Sequence, residues 1–389
     1  MKALIGASVM ALTACSAAGT QLPMGSPPQS QNAVRAGVKE SVVYSFTGSK
    51  QHLNPNPGNL LYYNGTLYGT TLQGGAYSDG TIFAVTPAGA EAVLHTFNGG
   101  QDAFPGTTLA QVDGALHWTI AFGGTKDEGA VFTITTSGNF SHEYDFKGAP
   151  RDGARPVAGV IGVGDTLYGT TQNGGTNDFG TVFKITPLGK KKILYAFGTG
   201  TDGADPYSGV IDVNGTLYGT TYFGGTNNLG TVFAVSAASG QERILHRFAG
   251  GSDGANPLYA NLTYFDGALY GTTPSGGTHN LGVVFRVTPS GSETVVHSFG
   301  GTPDGSTPKG GLVAFGGKLY GTTASGGANN FGTVYSITKS GSERVVYSFG
   351  RRPDGQIPTS SLTPVAGTLY GTTDAGGAHG EGTVFSVVP

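Results

Sequence analysis

The chain has 389 residues, a formal net charge of −3 and a pI near 6.2, which gives no electrostatic case for a nucleic acid or an anionic membrane surface as partner. Glycine contributes 69 residues, far above the ~7% norm, and only 12% of residues are charged against a usual ~25%, the composition of many short strands joined by tight turns rather than of helices. A single cysteine, Cys15, excludes an intrachain disulfide framework and any cysteine-based zinc site.

The N-terminus reads as a targeting segment. Lys2 precedes the apolar run ALIGASVMAL, which is too short to span a bilayer. The next residues, Leu12-Thr13-Ala14-Cys15, resemble the lipobox of bacterial lipoproteins, in which the cysteine becomes the lipidated first residue of the mature chain. An ordinary signal peptide cut near SAAG is the alternative; placement of the only cysteine at this point favours the lipoprotein. The expectation is a signal peptide over 1–14, lipidation at Cys15, and a Ser-, Gln- and Pro-rich flexible tether over 15–40. A coil of that length reaches ~25–30 Å. Ser16 after the cysteine resembles lipoproteins sent to the outer membrane. The resemblance thus implies an extracytoplasmic protein held at the bacterial outer membrane or cell surface, touching the membrane only through its lipid.

From residue 41 onward one unit of about 50 residues returns. Its clearest copy, 193–242, shows four β-type runs: ILYAF, GVIDV, TLYGTT and GTVFAV. Asn214-Gly215 separates the middle two, and Asn64-Gly65, Asp113-Gly114, Gly164-Asp165, Asp266-Gly267, Gly316-Gly317 and Ala366-Gly367 stand at the same point of the other copies. Most of these pairs accept the positive φ angles of a two-residue hairpin. TPAG-type turns follow the GTVF run. Four antiparallel strands per unit and seven units predict an all-β, seven-bladed β-propeller over 41–389. VVYSF at 42–46 precedes the first complete unit, while the last unit stops after GTVFSVVP. The N-terminal strand is therefore expected to complete the last blade and close the ring.

The repeated phrase LYGTT..GG....GTVF resembles that of the choice-of-anchor GloVer-type extracellular tandem-repeat proteins, and the resemblance covers residues 41–389. It implies an extracytoplasmic location and a repeat fold, and it brings no catalytic residues.

Chain direction places the two kinds of tight turn on one face of the ring and the longer FxGxxDGxxP and TTxxGGxxxxGT loops on the other, where a ligand is expected. Asp102, Asp152, Asp202, Asp253, Asp304 and Asp354 recur in these loops, with Gln51 or His52 at the seventh position. A carboxylate ring could hold a divalent cation, but sixfold repetition favours backbone-bonding turn residues and no cofactor. His95, His246 and His297 alternate with tyrosine at one repeated position and read as buried aromatic equivalents. One copy is corrupted: His117 and Trp118 replace the Tyr-Gly of LYGTT, and Lys126, Asp127 and Glu128 follow in the next loop. Strand alternation sends His117 and Trp118 to opposite faces, so Trp118 is expected to fill a gap between blades. The candidate ligand-binding group is nonetheless Trp118, Lys126, Asp127, Glu128, Arg151 and Arg155, where departures from the repeat concentrate. No acid–base constellation stands out, and no catalytic or metal-binding residue is assigned. The reading is a binding scaffold for a surface glycan or protein, with a cation-assisted carbohydrate lyase or a structural surface component as alternatives.

Overall fold

A computed structural model describes residues 39–48, 53–55, 59–99, 102–106 and 108–389. Cys15, the signal peptide, most of the tether, Gln51 and His52 lie outside them. The described residues are all-β and form seven blades of four antiparallel strands, a β-propeller. Blade 1 runs from its innermost strand Leu61–Tyr63 through Thr66–Gln73 and Thr81–Val85 to the outer strand Glu91–Thr96. Blades 2 to 6 repeat this order over 110–145, 161–196, 211–247, 263–298 and 313–348. Blade 7 takes three strands from 363–388 and its outer strand from Lys39–Ser45, with Lys39 opposite Val388 and Ser45 opposite Thr383. The ring is closed as expected, by a strand that begins at Lys39.

Each letter of LYGTT has a physical duty. The leucines and tyrosines point to opposite faces of a blade, so six of the seven seams between blades receive a leucine from one side and a tyrosine from the other, His117 standing in at the seventh. The core is accordingly seven interblade layers, such as Tyr218 of blade 4 packed with Leu269, Phe285 and Val287 of blade 5. The glycine leaves room for a ring: a Cβ at Gly69 would lie 2.5 Å from Phe83, its partner across the strand pair, and one at Gly169 would lie 2.7 Å from Phe183. The first threonine ties blade to blade, as Thr170 Oγ1 donates to Ser208 O at 2.8 Å and Thr322 Oγ1 to Ser360 O at 2.8 Å. The second bonds the threonine that opens the next strand, as in Thr171–Thr181 at 2.7 Å.

The hairpins are of the expected kind. Asn214 and Gly215 have φ of 54° and 79°, and even Ala366 is held at 46°. The turn face is where chain direction puts it: Lys339 Nζ, in a third-to-fourth turn, lies 2.9 Å from Asp266 Oδ2, in a first-to-second turn. On the other face, Arg155 N donates to Glu128 O, joining a fourth-to-first loop to a second-to-third loop. At the axis, small residues let neighbouring blades meet. Gly209 N donates to Asn261 Oδ1 at 2.8 Å and Gly311 N to Ser361 Oγ at 2.6 Å, while Gly159 packs against Thr108 O.

Candidate functional site

Five of the repeated loop aspartates are fastened to their own loops; the side chain of Asp102 lies outside the described residues. Asp202 Oδ2 accepts from Tyr195 Oη at 2.8 Å and Gly198 N at 2.6 Å, and its Oδ1 accepts from Gly203 N at 2.7 Å. Asp152 and Asp354 repeat the arrangement with Tyr144 and Tyr347, and Asp253 and Asp304 with His246 and His297 at 3.0 and 3.1 Å. The histidines are aromatic equivalents as expected, since His246 packs edge-on to Phe248 as Tyr195 does to Phe197. Their hydrogen bond to the aspartate was not evident in the sequence. It explains why tyrosine and histidine interchange, because both carry a donor at the ring tip.

The loop face is uneven. Tyr207 lies two residues before Gly209, and its ring meets Tyr222 at 5.3 Å and Tyr259 at 5.7 Å, both edge-on. Tyr222 in turn meets Phe223 at 4.6 Å, and Phe223 is 37% exposed. Gln172 Nε2 donates to Tyr207 Oη at 2.6 Å. The rings are half-buried, and burial pushes the Tyr207 and Tyr259 phenols up, so they stay neutral hydrogen-bonding groups. Asp205 borders the cluster, its carboxyl raised to about 6 by burial and then by Asp178. On blade 7, burial likewise lifts Asp374 to about 6, against the opposing pull of its bond to Thr359 and of Lys309.

Backbone geometry presents these side chains. Arg155, Asp205, Asn256, Thr307 and Ile357 occupy one repeated pre-proline position, all at φ between 52° and 58°. Each N–H is tied to the preceding blade: Asp205 N to Phe179 O, Asn256 N to Leu229 O and Thr307 N to Leu281 O. One rigid frame thus displays a different side chain from each of five successive blades, in a conformation that L-residues adopt at a cost.

A family model described as the Gloeobacter/Verrucomicrobia repeat matches residues 33–233 and 214–389. The chain belongs to that repeat family. No curated protein matches the sequence. Among solved structures, the extracellular domain of a putative one-component system, BT4673 of B. thetaiotaomicron, aligns with TM-score 0.60 at 13% identity, covering 90% of this chain and 40% of that one. An oligogalacturonate lyase in complex with manganese aligns with TM-score 0.54 at 14% identity over 87% of this chain and 89% of its own. A puromycin hydrolase gives TM-score 0.53 at 10% identity over 83% and 50%. At such identities the likeness is one of fold.

In this member of the repeat family the corrupted copy is repacked from within. Trp118 is fully buried, so it cannot contact a ligand on the long-loop face; it takes the place that a phenylalanine ring fills elsewhere. The repeated edge-on ring pair across a seam, 5.1 Å in Phe146–Phe183 and Phe197–Phe233, becomes Phe97–Trp118 at 6.4 Å. Trp118 stacks on its cross-strand partner Phe132, which turns edge-on to His142 at 4.1 Å. Phe140 stands where most copies have glutamate and stacks flat on His95 at 4.4 Å. His117 and Glu143 replace a tyrosine and an aliphatic residue and bond each other at 2.8 Å. Asp127 fastens its loop through Oδ1 to Gly123 N at 2.9 Å, as Asp178 and Asn228 do in the next two blades. Lys126 is exposed on the same loop.

The structure does bring Glu128 and Arg155 together, in a polar cleft completed by Asn173 and Asp178, with Arg155 over the Phe122 ring at 5.2 Å. Arg151 lies in a neighbouring hollow with Lys147, Tyr144 and Lys191. Asp178 of this cleft also raises Asp205, which borders the tyrosine cluster. Tyr207, Tyr222 and Tyr259 are the residues the sequence reading passed over. Their signal was present, since no other copy has tyrosine at those loop positions.

Proposed function

We propose that this protein is an extracytoplasmic, lipid-anchored propeller that binds a glycan on its long-loop face, across the mouth formed by blades 3 to 5. The observation that carries the reading is the Tyr207–Tyr222–Tyr259 cluster, flanked by Gln172, Asp205 and the Arg155–Glu128 cleft. Half-buried rings offer flat apolar faces to the C–H side of a sugar, while amide, phenol and carboxyl groups at their margin suit its hydroxyls. Repeat family membership and the lipobox-like Leu12–Cys15 support the location and the anchor.

A second reading, a carbohydrate-active enzyme, has one observation in its favour. Asp205, beside the tyrosine cluster, and Asp374, on blade 7 of the same loop face, have carboxyls held near 6, a value suited to acid–base use. A glycan array probed with the mature protein, followed by product analysis on every glycan bound, separates the two. Binding without turnover supports the lectin-like reading; new reducing or unsaturated ends establish the enzyme. Absence of binding, with self-association of the protein, points to a structural surface component.

A further inference from the structure

Among the described residues, two seams between blades gather a histidine with the loop-fastening aspartate and a glutamate. His246, Asp253 and Glu293 converge at the outer edge of the blade 4–5 seam, and His297, Asp304 and Glu343 at the blade 5–6 seam. In each set the histidine nitrogen and the carboxylate oxygens lie within 4.8 Å of one another. The histidine comes from one blade's outer strand, the aspartate from the following loop, and the glutamate from the first residue of the next blade's outer strand.

We propose that each of these clusters is a binding site for a first-row divalent cation, with zinc the best match, bridging adjacent blades on the rim of the ring. One neutral imidazole and two carboxylates carry a charge of −2, which a divalent ion neutralises, and the donor set suits zinc. The existing spacing is close to what coordination requires. His246 Nε2 lies 3.0 Å from Asp253 Oδ2 and His297 Nε2 lies 3.1 Å from Asp304 Oδ2. The edge of a tetrahedron with ~2.0–2.1 Å bonds is ~3.3 Å. Glu293 and Glu343 each bring an oxygen, Oε1, that is buried and makes no hydrogen bond. The histidines and aspartates keep 16–23% of their side-chain surface, enough for an ion to reach them from solvent. Each site leaves at least one position for water or an outside ligand.

The molecule contains its own controls. The blade 3–4 and 6–7 seams have the same aspartate and glutamate, Asp202 with Glu242 and Asp354 with Glu40, but tyrosine in place of histidine. Glu242 and Glu40 also carry an orphaned oxygen, so carboxyl crowding is common to all four seams. Fastening the aspartate needs only a donor, which tyrosine supplies as well. The imidazole nitrogen is what the 4–5 and 5–6 seams add, and it is the ligand that selects a transition metal over calcium.

The test strips the full mature protein with chelator, dialyses it against zinc and counts bound metal by mass spectrometry, with calorimetry for affinity. The expected result is two zinc ions per chain and a melting temperature that rises with free zinc. His246→Tyr and His297→Tyr install the residue of the sister seams and should keep the fold. Each should remove one ion, and the pair should remove both. Glu293→Gln and Glu343→Gln, which preserve shape, should weaken their own site at least tenfold. Zinc stoichiometry near zero in the parent, or two ions surviving in the double tyrosine variant, would overturn the proposal.

Discussion

Trp118 and Phe132 face each other in blade 2 at the point where six other blades pair a glycine with an aromatic ring. The indole fills the seam completely, although its Nε1 is buried without a hydrogen-bond partner. Truncation to Trp118→Ala removes that packing and is expected to cost about 3–5 kcal/mol, read as a lowered urea midpoint. A loss below about 1 kcal/mol would show that Phe132 swings back into the ring site of the other blades. Ala366 presents the reverse case. It stands first in a hairpin turn at φ 46°, where the equivalent copies place Asn, Asp or Gly. Ala366→Asn should therefore raise stability by about 0.5–1 kcal/mol. An unchanged midpoint would mean that the turn adapts to alanine without strain.

At the scale of strands and seams, the glutamates that open the outer strands set a pH dependence. Burial first, and then the neighbouring loop aspartates, raise Glu40 and Glu242 from the ordinary 4.5 to about 7. The folded protein holds protons that the unfolded chain has already released in that interval. This contribution is complete below about pH 4.5 and is lost as pH rises through about 7. Both groups remain partly solvated, so screening limits each effect to about 1 kcal/mol or less. Glu40→Gln combined with Glu242→Gln, in chelator-treated protein, should flatten the fall in stability between pH 5 and pH 8. The same slope in the variant as in the parent would refute the assignment. In the blade 2–3 seam Lys191 takes the glutamate's position and pairs with Asp152, so that seam lies outside the effect.

These seams mark where sequence reading succeeds and stops. Strand order, hairpin turns and blade number were legible because each is written seven times in local letters. The duty of a departing residue was not, because it depends on partners that only the register brings near. His117 reads as an isolated substitution in the sequence because its partner, Glu143, comes from the outer strand beyond the neighbouring one, and Trp118 because it depends on the shifted ring of Phe132. Tyr207, Tyr222 and Tyr259 come from three loops and become one group only when blades 4 and 5 stand side by side. The pairing of His246 and His297 with glutamates of the next blade was hidden for the same reason.

For the whole molecule, closure rests on the pairing of Lys39–Ser45 with Thr383–Val388. Deleting residues 39–46 should leave the Thr383–Val388 edge bare and produce aggregation or a sharply lowered melting temperature. A truncated chain as stable as its parent would contradict the closed ring. With the ring closed, the uneven loop face is the surface that distinguishes this protein from a symmetric scaffold. The most direct measurement of its role is calorimetric affinity for whichever glycan the array identifies, comparing Tyr207→Ala with Tyr222→Ala against Lys126→Ala. The tyrosine variants should each lose about 1–3 kcal/mol of binding with melting temperatures nearly unchanged, while Lys126→Ala, at the exposed tip of a neighbouring loop, should bind within about twofold of the parent. Full affinity in both tyrosine variants, or a large loss confined to Lys126→Ala, would place the ligand away from the blade 3–5 mouth and contradict the account.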